Sequence, residues 1–270
     1  MDSTPASKLA VVTGASSGIG LELARQFARD GFDLVIAAED DAIQSTAKDL
    51  ETLGAGVEAV QVDLARPEAV DELYQRISAL GRPLDAVALN AGLGAGGAFA
   101  DGDKETELAQ ELQIVDVNIR STVQLAKYAL RDMVARGHGR VLFTSSIAST
   151  MPGSFQAVYN ASKSFVQSFA LALGEELKDS GVTVTALMPG PTETNFFKRA
   201  RMLDTKVGAS DKDDAAEVAR LGYEALMAGK ERVVASSLTT KLQARGSRLL
   251  PDSVKARMHR RMAEPGSANK

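Results

Sequence analysis

Six short apolar runs, at 9–12, 34–37, 57–62, 84–89, 141–143 and 182–187, are separated by stretches patterned as helix. Runs that are continuously apolar, rather than alternating, suit strands buried on both faces, with the intervening helices as cover. Right-handed crossovers wind such a chain into a doubly wound parallel sheet, the Rossmann-like α/β class. The pattern predicts helices near 18–30, 41–53, from Pro67 onward, 113–136 with a shorter one before it, and 156–179. Proline at 67 fits the first turn of a helix. A helix near 213–228 and a short strand at 232–235 complete the series. The 270 residues, without repeat or linker, suit one domain over 1–237 followed by a C-terminal helical tail over 238–270. In that tail Leu238, Leu242, Val254, Met258 and Met262 are expected on apolar faces, and the last residues, from Glu264, are expected to fray.

Composition removes several classes of chemistry. There is no cysteine, so disulfides, thiol nucleophiles and thiolate metal sites are excluded. The two histidines, His138 and His259, stand far apart in sequence, so no metal site is expected. The first eight residues carry Asp2 and no apolar run, unlike a secretory signal, and no stretch is long enough to span a membrane. A soluble cytoplasmic protein with no nucleic-acid partner is the expectation. Residues 238–270 hold eight basic and two acidic residues, whereas the other 237 hold 23 basic and 33 acidic. Such a tail could bind an anionic surface, but docking on its own acidic body or on a neighbouring subunit is the preferred reading.

Two local motifs carry chemistry. The segment 13–20 reads Thr-Gly-Ala-Ser-Ser-Gly-Ile-Gly, between a predicted strand and a predicted helix. Gly14 permits the tight turn, Gly18 lets backbone approach a pyrophosphate, and Gly20 allows close helix–strand packing. The phosphates would sit at the helix N-terminus, where free N–H groups and the dipole favour anions. Far along the chain Tyr159 and Lys163 are four apart on a predicted helix, hence on one face, with Ser146 thirteen residues before the tyrosine. There an ammonium can lower the phenol's pKa from about 10.

These pieces, with Asp63-Leu64, Asn90-Ala91-Gly92, Asn118 and Pro189-Gly190-x-x-x-Thr194, occur in the order and on the elements of a known family. Over roughly residues 8–236 the chain resembles the short-chain dehydrogenase/reductases, in their single-domain NAD(P)-dependent branch. The resemblance implies an oxidoreductase that moves a hydride between a nicotinamide cofactor and a secondary alcohol or ketone. It implies Tyr159 as general acid–base and Lys163 as the residue that lowers its pKa and binds the nicotinamide ribose. Ser146 would hydrogen-bond the substrate oxygen, and Asn118 would hold a water that relays protons to Lys163. The cofactor would be held by Gly14, Ser16, Ser17, Gly18, Ile19 and Gly20, by Asp63 and Leu64 near the adenine, and by Asn90, Ala91 and Gly92. Pro189, Gly190, Thr192 and Thr194 would fix the nicotinamide. Taken alone, Asp63 also reads as a helix cap. A dinucleotide-binding sensor or scaffold without turnover is the alternative.

Glu39, at the end of the second strand and 19 residues after Gly20, is placed to accept from a ribose 2′-hydroxyl and to repel a 2′-phosphate. Family members that prefer the phosphorylated cofactor often carry a base at the Glu39 or Ser17 position, and those preferring NAD usually have aspartate at the Ala38 position. This chain has neither, so NAD is the expectation and NADP the alternative. Loop 93–99, segment 147–158 with Met151 and Phe155, and a lid at about 191–212 with Phe196, Phe197, Met202 and Leu203 should face a fairly apolar substrate. The resemblance also implies a homodimer or homotetramer built on the two long helices.

Overall fold

The computed structural model describes residues 7–100, 105–236 and 250–269. Seven strands form one parallel sheet: β1 (Leu9–Thr13), β2 (Asp33–Ala38), β3 (Val57–Gln61), β4 (Leu84–Leu89), β5 (Gly139–Thr144), β6 (Val182–Pro189) and β7 (Arg232–Ala235). Their order across the sheet is β3-β2-β1-β4-β5-β6-β7. The order reverses between β1 and β4, and a crevice opens there at the carboxyl ends of the strands.

Both faces of the sheet are covered, as the continuously apolar strands require. Along β1, Leu9 and Val11 join one core while Ala10 and Val12 join the other. The first core packs α3 (Pro67–Ala79), α5 (Ser121–Arg136) and α6 (Ala157–Glu176) through Leu73, Leu125 and Val166. The second packs α1 (Gly18–Arg29), α2 (Ala42–Glu51) and α9 (Ala215–Met227) through Phe27, Leu50 and Leu226. Phe27 meets Phe32 and Tyr223 edge-on, with centroids 5.2 and 4.9 Å apart. Such contacts add to area burial, which for a side chain of this size contributes about 2–3 kcal/mol. Among the described residues no helix is long and apolar enough to cross a membrane.

The predicted helix at 113–136 differs in one informative way. Helical structure starts earlier, with α4 (Glu105–Val115), and passes through a π-helical turn (Asp116–Arg120) before α5. The turn rotates Asn118 inward, where it is almost fully buried. Its side chain bonds the backbone of Leu93 and the hydroxyl of Ser162, which hold the extra residue in place.

The C-terminal part also departs from expectation. A helix, α10 (Asp252–Ala263), buries His259 and Ala263, while Met258 and Met262 are both exposed. Leu238 and Leu242 lie outside the described residues. Residues 264–269 do not fray. The Gly266 N–H donates to Asp204 Oδ2 at 2.7 Å and the Ala268 N–H to the Asp204 carbonyl at 2.9 Å. The Ser267 hydroxyl accepts from the N–H of Lys206, which opens the short helix α8 (Lys206–Ala209). Backbone bonds to a partner across the chain, invisible to local pattern, override the end effect.

Candidate active site

A cleft runs over the carboxyl ends of β1, β2, β4, β5 and β6. Every cofactor and catalytic residue singled out from sequence lines it except Gly20 and Asn118. The floor begins at the glycine turn, where Gly14 and Gly18 hold positive φ of 67° and 55°. A Cβ on Gly20 would lie 2.1 Å from the Gly14 carbonyl oxygen, so only glycine closes this strand-to-helix turn. Ser17 caps α1 in extended conformation, and the first N–H groups of the helix open towards the cleft.

Asn90 ties three strand ends together. Its amide donates to the Thr13 carbonyl at 3.1 Å and accepts from the Thr144 hydroxyl at 3.0 Å. Asp63 lines the cleft and uses one carboxylate oxygen to accept the Ala65 N–H at 2.9 Å in a local turn; it is not the helix cap its position also suggested, since Arg66 holds the N-cap position of α3. The Thr192 hydroxyl donates to the Gly190 carbonyl at 2.9 Å, and that of Thr194 accepts the Phe196 N–H at 3.2 Å, so both close the turn after β6.

At the end of β2 the acids divide their roles. Glu39 is exposed at the cleft rim. Asp40, which sequence reasoning passed over, lies deeper, accepts the Ser16 hydroxyl at 3.0 Å and faces the Arg199 guanidinium at 3.4 Å. Its other oxygen, Oδ1, is buried without a partner. An orphan acceptor beside a glycine turn too tight for any side chain fits a sugar hydroxyl and its phosphates. The residues present therefore suit a dinucleotide.

Ser146, Tyr159 and Lys163, predicted to be catalytic, come from the end of β5 and from α6. Ser146 follows β5 in extended conformation, and its oxygen accepts the Ala148 N–H at 3.1 Å. Tyr159 and Lys163 share one face of α6 and both line the cleft. Burial pushes the Tyr159 phenol up to about 12, partly opposed by the facing Ser146 hydroxyl. Burial also pushes the Lys163 ammonium down to about 8. The expected lowering of the phenol by the ammonium is thus reversed. Lys163 Nζ donates at 2.9 Å to the Thr144 carbonyl, and burial is the leading cause of both shifts. Asn118 stands behind this pair. Its Oδ1 and the Lys163 Nζ both lie near Gly92, but its amide is committed to Leu93 and Ser162.

A family model described as short chain dehydrogenase matches residues 8–203. The chain belongs to that family. It is an NAD(P)-dependent oxidoreductase of the short-chain dehydrogenase/reductase type, and the non-catalytic alternative is not favoured. A 1-deoxy-11-beta-hydroxypentalenate dehydrogenase of Streptomyces exfoliatus is 35% identical over 227 residues, covering 82% of this chain and 80% of that protein. An uncharacterized oxidoreductase of Staphylococcus saprophyticus is 33% identical over 221 residues, covering 81% of this chain and 91% of that one. A short-chain dehydrogenase of Sphingobium yanoikuyae, solved in complex with NADPH, superposes with a TM-score of 0.78 at 27% identity, covering 89% and 92% of the two chains.

The roof of the cleft in this family member is only partly what the sequence suggested. Phe196, Phe197 and Met151 line it, but so do Val207, His259 and Met262. Phe197, Ala200, Met202 and Ala263 form a small third core with Phe155, Phe196 and Val207 packed on it. Leu203, expected to face substrate, is exposed. The Gly96 N–H donates to the Ala200 carbonyl and the Gly97 N–H to that of Phe155, so the three substrate-side segments are tied together. No group of three or more potential metal ligands occurs among the described residues.

Proposed function

We propose that this enzyme interconverts a fairly apolar secondary alcohol and its ketone, with Tyr159 as the acid–base group. The observation that carries the reading is the meeting of Ser146, Tyr159 and Lys163 in one cleft with the glycine turn and the Asn90–Gly92 segment. A bound nicotinamide cofactor supplies or accepts the hydride. Gly14, Ser16, Ser17, Gly18 and Ile19 would cradle its phosphates, with Asp63 and Leu64 towards the adenine and Pro189 to Thr194 towards the nicotinamide.

The chain's own residues handle the oxygen and its proton. A phenol pushed up to about 12 keeps its proton at neutral pH, the form that gives a proton to a carbonyl oxygen in the reduction direction. The Ser146 hydroxyl, facing that phenol, would donate a second hydrogen bond to the same oxygen and stabilise the charge that develops there. Lys163 places a cation beside the ribose and the phenol, favouring the phenolate left after transfer. Asn118 positions Leu93 and Ser162 through its side chain, so a water relay to Lys163 would use its backbone carbonyl.

The acids at the end of β2 support NAD as the preferred cofactor, with the orphan Oδ1 of Asp40 as the partner of a ribose hydroxyl. One observation favours NADP instead: the Arg199 guanidinium beside Asp40 could meet a 2′-phosphate. Apolar side chains left exposed on α4, α5 and α6, among them Leu108, Leu112, Val134 and Phe165, support a homo-oligomer on those helices. We read residues 1–237 as the catalytic domain, with a lid at about 191–212.

The test is Tyr159→Phe assayed with both cofactors and a panel of ketones. The variant should lose about 10²–10⁴-fold in kcat while its dinucleotide Kd stays within about twofold. Substantial residual turnover would overturn the assignment, and a tenfold higher kcat/KM with NADPH than with NADH in the wild type would reverse the cofactor reading.

A further inference from the structure

The histidine that composition set aside sits in the roof of the cleft. His259 is 5% exposed yet lines the same cavity as Tyr159 and Ser146. It reaches there because α10 is held down from two directions. The Ser154 hydroxyl donates to the Ala256 carbonyl at 3.0 Å, and the Arg260 guanidinium lies 5.5 Å from the Phe155 ring centroid. Beyond the helix, Gly266, Ser267 and Ala268 bond to Asp204 and Lys206. Phe155 itself holds a left-handed backbone, φ 64°, strained for a residue with a side chain and held by its neighbours.

The ring's orientation then follows from one hydrogen bond. Nδ1 lies 2.9 Å from the Ser154 carbonyl oxygen. A carbonyl only accepts, so Nδ1 carries the proton and donates. Burial lowers the imidazole below its ordinary pKa of 6.5, more than the Ser154 carbonyl restores, so the ring is neutral near pH 7. The remaining proton position, Nε2, is therefore a bare lone pair. It has no hydrogen-bond partner among the described residues, and the cavity that His259 lines is shared with Met151, Phe196, Phe197, Val207 and Met262 as well as the polar Gln156 and Asn195. A lone acceptor in a largely apolar cavity distinguishes ligands strongly, because a ligand without a donor leaves it desolvated and unpaired.

We propose that His259 is a substrate-specificity residue, whose Nε2 accepts a hydrogen bond from a hydroxyl or N–H carried by the substrate away from its reacting carbon. The proposal rests on the alcohol/ketone reading above. It makes the substrate an apolar ketone with one remote donor, such as a hydroxyketone.

The probe is a series of ω-hydroxy-2-alkanones of about five to ten carbons against plain 2-alkanones of the same lengths. Binding to the cofactor-loaded enzyme is read by calorimetry and turnover by NAD(P)H absorbance. The variants are His259→Asn and His259→Phe. Asparagine keeps an N–H where Nδ1 stood, so it can still hold the Ser154 carbonyl, but it has no acceptor at the far side. The wild type should favour the hydroxylated ketone at one chain length by about tenfold or more in both Kd and kcat/KM. Both variants should reduce that ratio to under about twofold, and the melting temperature of His259→Asn should stay close to wild type. A preference that survives in His259→Asn, or a wild type with no preference at any length, refutes the proposal. A wild type that binds with the preference but turns over neither series sinks the hydride reading and leaves the anchor standing.

Discussion

Lys163 should be a liability to the fold that is kept for chemistry, and the size of the liability can be worked out. Its side chain is almost completely buried, and burial alone takes the ammonium from 10.5 to about 8. At about 1.4 kcal/mol per pH unit, that fall corresponds to roughly 3 kcal/mol of penalty for folding a charged lysine at pH 7. Lys163→Met keeps the length of the side chain and removes the charge. It also removes the bond to the Thr144 carbonyl, which costs about 1 kcal/mol. The variant should therefore be about 2 kcal/mol more stable than wild type at pH 7, while losing turnover. The sign with pH follows from the depressed pKa. Between pH 8 and 10.5 the unfolded chain still binds the proton that the folded chain has released, so wild-type stability rises with pH across that window. By pH 10 the penalty has fallen below about 1 kcal/mol and the two proteins should be nearly equal. Urea denaturation followed by circular dichroism, without dinucleotide, at matched protein concentration and at pH 7, 8.5 and 10, measures the difference. Other titrating groups cancel between the two proteins. A methionine variant less stable than wild type at pH 7, or a gap that does not close by pH 10, would refute the reasoning.

Gly20→Ala should weaken dinucleotide binding by at least about tenfold and lower the melting temperature by several degrees, since the new methyl must displace the Gly14 carbonyl 2.1 Å away or the Asn90 amide nitrogen at 2.6 Å. Calorimetric titration with NADH and thermal melts read both effects, and a variant that binds as wild type would show that the turn adjusts freely. Phe165→Glu, on the outer face of α6, should reduce the mass found by light scattering to that of a monomer. An unchanged mass would remove α6 from the interface.

The floor of the site was legible because its signals are local. The strands at 9–12 and 84–89, Pro67 at the first turn of α3, and the glycine turn each carry their meaning within a few residues. The parallel order then follows from connection rules, and it brings Ser146, Tyr159 and Lys163 to the same edge as Gly14. What failed were statements about environment. The pattern Tyr-x-x-x-Lys places both groups on one face but says nothing of how deeply they are buried, and depth decided the direction of the phenol's shift. The π turn at Asp116–Arg120 left no mark in the periodicity, because one inserted residue within a long helix resembles ordinary drift. Asp40 was passed over for Glu39 because spacing counts residues along a strand and cannot say which of two adjacent acids turns inward.

The roof was illegible for a different reason, and the difference separates chemistry from specificity in this fold. Ser154, Ala256 and His259 meet across about a hundred residues of chain, and the contact that orients His259 is made by a main-chain carbonyl with no sequence identity of its own. A basic stretch such as 252–263 offers Val254, Met258 and Met262 as its apolar face, whereas the positions it buries are His259 and Ala263, neither of them a large aliphatic side chain. Its helix is fixed by hydrogen bonds at its flanks and by the small core around Met202, not by an apolar stripe. On the proposed reading, proton transfer at Tyr159 would need only the floor, which the strand-end motifs specify locally. Discrimination among ketones would then depend on which side chains segment 191–212 and α10 lower over that floor, so changes there should alter the ratio of kcat/KM between substrates more than the pH dependence of turnover.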